Sequence, residues 1–130
     1  MFPSFPSSTT VQFNFAEIDG LYRKILINNN EIETQYKIFM NNLNKFTTRE
    51  IALLNSAVFD SIIYTSRNIK DYGKANQIIL YAKYCFNNHK MTQFEADMTT
   101  IKTSMDETLN LQTILLGEIW ARIHDFVNIY

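Results

Sequence analysis

Two histidines and one cysteine are the residues of this chain best suited to bind a metal or attack a substrate. Their spacing limits what they can do. His89 and His124 are far apart, and no carboxylate stands three or four residues before either. The Glu-x-x-His pairs with which helical bundles hold metals are therefore missing. Cys85 and His89, at i and i+4, share one side of a helix, but no glycine-rich oxyanion loop accompanies them. Cys85 has no CxxC partner and fits the role of a small packing residue. His124-Asp125 reads as a solvated helix end. Gly20, Gly73 and Gly117 are isolated, so none builds a phosphate-cradling loop, and Gly117 suits close helix packing instead. The residues predict no catalytic, cofactor-binding or metal site, and the chain is expected not to be an enzyme.

One constellation has a different chemistry. Lys70, Lys74 and Lys83 alternate with Tyr72, Tyr81 and Tyr84, and Asp71 is the only acid among them. On a helix, Lys74, Tyr81 and Tyr84 fall opposite the apolar face, as on a surface that tracks phosphates and stacks bases. The charges are few for phosphate binding at physiological salt. A tyrosine-rich protein contact is the competing reading, and nucleic-acid binding is the alternative function.

Composition narrows the class. The chain has 130 residues, 46% hydrophobic and 19% charged, which suits one soluble domain with its own core. Residues 1–90 carry ten Lys/Arg and seven Asp/Glu, a charge of +3; residues 91–130 carry two and six, a charge of −4. An acidic last helix should lie on a mildly basic remainder or on a neighbouring copy. Both prolines, Pro3 and Pro6, precede residue 7, so nothing later forbids helix. There is no basic-then-apolar leader and no apolar run of the ~20 residues a membrane span needs. With a single cysteine, this predicts an intracellular protein without a signal peptide. Asn, Ile, Lys, Tyr, Phe and Met are all favoured by AT-rich codons and make up nearly half the sequence, as in many large DNA viruses, some phages and some parasites.

Residues 1–15 form the expected N-terminal arm, flexible or docking. It holds a tandem Phe-Pro-Ser and then Val11–Phe15, whose alternation is that of an extended segment. Residues 16–130 form a single bundle domain. Ile18, Ile25, Ile32, Phe39 and Phe46 recur every seventh residue, the period of a helix held against a partner helix. That phase runs unbroken through Asn28-Asn29-Asn30 and favours one continuous helix over a hairpin. Thr47-Thr48-Arg49-Glu50 is a capping box that starts a second helix, apolar on nearly every side and therefore expected to be covered by neighbours. It should end near Asn68, ahead of Asp71-Tyr72-Gly73. A third helix spans about 73–87, and a last one starts at the box Thr92–Glu95. A further box, Ser104–Glu107, marks a possible break in that helix, against a stutter near Leu109.

The sequence thus predicts an all-α bundle of four to five helices, with long heptad-patterned first and last helices and an extended arm. The expected function is that of a structural or assembly protein, with a viral or phage component as its expected setting, acting on itself as a homo-oligomer or on another protein. The candidate interface residues are Phe2, Phe5, Phe13 and Phe15 of the arm and Trp120, Phe126 and Tyr130 of the C-terminal end, beside the heptad face of residues 18–46.

Overall fold

The computed structural model describes the backbone of residues 8–84 and 91–127, and side chains over 15–80 and 93–127. It contains three long helices rather than four or five: α1 (Ser8–Met40), α2 (Thr48–Tyr84) and α3 (Met91–His124). A short 3-10 turn, Leu43–Lys45, lies between α1 and α2. Cross-helix contacts set the directions. Asp71, Asn68 and Thr65 of α2 meet Ser104, Thr108 and Gln112 of α3, so these two run antiparallel. Glu17 and Gln35 of α1 meet Lys102 and His124 of α3, so those run parallel. The result is an up-down-up bundle, packed most extensively between α2 and α3 and least between α1 and α2. No described helix is long and apolar enough to cross a membrane.

The heptad residues Ile18, Ile25, Ile32 and Phe39 of α1 are all buried, and so is Phe46, which lies past the end of the helix and just after the 3-10 turn. The asparagines between them continue the helix, two of them bonding to neighbouring helices and the third facing solvent. Asn28 donates to Thr113 of α3 at 3.0 Å, and Asn29 accepts from Thr65 of α2 at 3.4 Å. Asn30 points outward, and its carbonyl accepts the Thr34 hydroxyl. The buried heptad face is thereby consumed within the bundle and is not open for association.

The helix also extends further back than the sequence suggests. Ser8–Phe15 is helical, not extended, and residues 1–7 of the expected arm lie outside the described residues. Five alternating residues compete poorly with helical packing here. Phe15 and Tyr22, one heptad apart, both lie against Tyr72, with ring centroids at 6.1 and 3.9 Å. Tyr72 donates its hydroxyl to Asp19 at 2.8 Å. Burial first, and then this bond, hold the Tyr72 phenol above its ordinary pKa.

Two expected breaks are absent for one shared reason. Asn68 does not end α2; it is fully buried and donates to the Met105 carbonyl and to Thr108 of α3. Asp71, next to it, accepts the Ser104 hydroxyl at 2.6 Å. Ser104 is therefore a cross-helix donor and not a cap, and α3 runs straight through it, with Thr108 rather than Leu109 fully buried at the stutter. The box at Thr47 does form: the Thr47 amide donates to Glu50, and the Glu50 amide donates to the Thr47 hydroxyl. Gly117 does not sit at a close helix approach, because a Cβ placed there meets nothing within 4 Å.

The core falls into two apolar clusters. One gathers Ile18, Leu21, Ala75, Phe94, Met98 and Met105; the other gathers Ile32, Phe39, Leu54, Ala57, Ile119 and Ile123. A buried polar belt crosses the bundle between them. Gln112 donates to the Ile25 carbonyl at 3.2 Å and to Thr65 at 2.8 Å, joining all three helices. The side-chain oxygens of Gln112 and Asn68 are buried without a donor.

Two outcomes follow for stability. Gly117→Ala should raise the unfolding free energy by about 0.5–1 kcal/mol, because it removes helix entropy cost at an open site. Gln112→Leu should leave it within about 1 kcal/mol or raise it, since an unpaired buried oxygen costs ~1–3 kcal/mol. Urea unfolding followed by circular dichroism measures both.

Candidate interaction surface

Each helix of a three-helix bundle keeps one side toward solvent. For α2 that side is not polar. Phe59 is 62% exposed, Ile62 51%, Ile69 44% and Ile63 42%. The expectation that neighbours cover this helix all round is thus overturned, because two partner helices cannot enclose it. Ile27 of α1 and Ile114 of α3 are exposed too, but among the described residues their helices present no apolar row as long.

Helical spacing builds the surface. Ser56, Phe59, Ile63, Ser66, Lys70 and Gly73 follow one another at alternating steps of three and four, and all are exposed. They form one line on the side of α2 away from its buried residues Leu54, Ala57, Ser61, Thr65 and Asn68. Beside it, α1 and α2 diverge into an open trough of about 440 Å³. Ile32 and Tyr36 form one wall, and Val58, Phe59 and Ile62 form the other. Asp60 and Arg67 flank the stripe on its other edge, both exposed. Among the described residues neither has an ion-pair partner within the chain; the pairs formed are Arg23 with Asp19 and Lys102 with Glu17. The second raises the Lys102 ammonium pKa through its hydrogen bond and the Glu17 charge.

The residues singled out from sequence are placed differently. Phe15 is half-buried against Tyr72 and belongs to the bundle. Trp120 is 46% exposed and stacks on His124 at 4.0 Å. Nε2 of His124 lies 3.0 Å from Oε1 of Gln35, a bond that the Nε2–H tautomer donates. Phe126 is half exposed, with one face on Phe46 at 5.3 Å. Trp120 and Phe126 are thus each about half exposed, and each rests on a different neighbour. Phe2, Phe5 and Tyr130, and the side chain of Phe13, lie outside the described residues. So do Cys85, His89 and the side chains of Tyr81 and Tyr84. Lys74 is exposed on α2. No group of three or more His, Cys, Asp or Glu side chains converges among the described residues.

The outward face of α2 is what the sequence reading missed. Its signal was present as small residues, Ser56, Ser66 and Gly73, spaced on the same stripe as Phe59 and Ile63. Comparison with known proteins gives no relative: no family model, no curated protein and no solved structure matches the chain.

The exposed and buried faces should respond oppositely to charge. Phe59→Asp or Ile62→Asp should change the stability of the isolated chain by less than about 1 kcal/mol. Leu54→Ala, at a fully buried site, should cost about 2–5 kcal/mol. Thermal unfolding of dilute protein, compared across the three variants, separates the faces.

Proposed function

We propose that this protein is a non-enzymatic structural or assembly subunit that works by self-association through its exposed helix faces. The observation that supports the reading is the apolar row of Phe59, Ile62, Ile63 and Ile69 on the outer side of α2. A contiguous apolar patch on a small protein marks a contact site more often than free surface.

The magnitudes favour a modest interface. Fully burying one such side chain is worth about 1.5–3 kcal/mol, so each half-exposed one has roughly 1 kcal/mol left to gain. Four from each of two copies supply about 8 kcal/mol, against an association cost of about 4–15 kcal/mol. Apolar burial alone therefore does little more than offset the cost of association. Polar complementarity along the edges must select the partner.

Light scattering on the full chain across a range of concentrations tests this. The expected result is a mass above that of the monomer, rising with concentration, which falls to the monomer in Ile62→Asp while helicity is kept. A monomer throughout, at concentrations well above micromolar, contradicts the proposal. Binding to single-stranded oligonucleotide that is salt-dependent and lost in Lys74→Glu would move the function to the alternative reading.

A further inference from the structure

We infer that the occupant of the outer face of α2 is the same face of a second copy, laid antiparallel about a two-fold axis. The inference rests on the self-association proposed above and specifies its geometry.

Ser56, Phe59, Ile63, Ser66, Lys70 and Gly73 lie in line along the exposed face of α2, and the buried heptad of α1 is already used inside the bundle. Phe59 and Ile63 on that line, with Ile62 and Ile69 beside it, leave apolar surface uncovered, and the charges at the edges decide which partner helix fits. In antiparallel pairs, residues that follow the same seam position face their own kind across the two-fold axis. On the edge toward α3 these residues are Asp60 and Arg67, seven residues apart and therefore two turns along one face. An antiparallel copy places Asp60 beside Arg67 of the second copy, and the symmetry repeats the pair in the opposite sense. Both groups are exposed and lack an ion-pair partner in their own chain among the described residues.

The other edge agrees in the same register. Ile62 comes level with Ile69 of the second copy, and both are half exposed in the single chain. Within the seam, Ile63 meets Ser66, Ser56 meets Gly73, and Phe59 lies against the Lys70 stem. Small residues opposite larger ones let the two helices approach closely, and an ammonium over a ring is itself favourable. Moving the partner by one heptad brings Asp60 against its own symmetry mate, so like charges oppose that register. A parallel pair faces this edge with the opposite one, setting Asp60 beside Asn55 and Arg67 beside Ile62 of the second copy, where neither charge gains a partner of opposite sign. Charge complementarity therefore selects a second copy, antiparallel, in one register.

A charge-reversal set on the full-length chain tests the geometry, with mass read by sedimentation equilibrium and folding checked by circular dichroism. Wild type should be dimeric. Asp60→Arg and Arg67→Asp should each weaken the dimer by about tenfold or more, because each sets two like-charge pairs against one another. The double variant, with both substitutions, should recover to within a few-fold of wild type. Self-association that ignores the single reversals, or that the double variant fails to restore, overturns this geometry and leaves the assembly reading standing. Wild type that is monomeric at every concentration overturns both.

Discussion

The structure turns on Gln112. From α3 it donates to a backbone carbonyl of α1 and a hydroxyl of α2, and it is completely buried. Sliding any one helix by a turn would strand those donors, at a cost of about 1–3 kcal/mol for each group left unpaired. Apolar contacts are more forgiving, since isoleucines and methionines can pack in several registers. The polar belt thus acts as a registry device between two apolar clusters, a role in which buried polar groups are best attested. Asn29, Thr65, Asn68, Asp71 and Ser104 extend it along the same seam. Once these contacts fix the rotation of α2, they also determine that Phe59 and Ile63 face outward.

That outward face is the surplus of a fold with too few helices for its hydrophobicity. An evenly apolar helix belongs at the centre of a larger bundle, surrounded on several sides. Here α2 has two neighbours, and the trough beside Ile62 is open. In the proposed dimer a second copy would supply the missing neighbour without any change in the first. In that proposal a local constraint, the setting of α2 by buried polar contacts, shapes a surface used between molecules.

Much of the fold could be read from the residues alone, and the parts that could not share a cause. The seven-residue phase from Ile18 to Phe46 foretold a single helix through Asn28-Asn29-Asn30, and the capping box at Thr47 foretold where α2 begins. Asn68, Asp71 and Ser104 misled because short polar side chains satisfy a neighbouring helix with the same groups that satisfy a turn or a cap. Sequence cannot tell which partner such a group chooses. The alternation of Val11–Phe15 misled similarly, because Phe15 gains more from Tyr72 than a short strand could offer. Of the surface, Trp120 and Phe126 were named from the sequence, and both are about half exposed. The stripe on α2 was hidden, because hydrophobicity on all sides of a helix does not reveal how many neighbours will cover it.

The central claim is that two α2 helices meet antiparallel through Phe59 and Ile63, and a distance between copies tests it most directly. A spin label at exposed Gln77, in a chain whose native Cys85 is replaced by serine, would be measured by pulsed dipolar spectroscopy. The antiparallel register sets Gln77 level with Ala52 of the other copy, so the two labels should stand roughly 40 Å apart at 1.5 Å per residue. A separation below about 20 Å, as neighbouring parallel helices would give, or no intermolecular coupling at all, would contradict it.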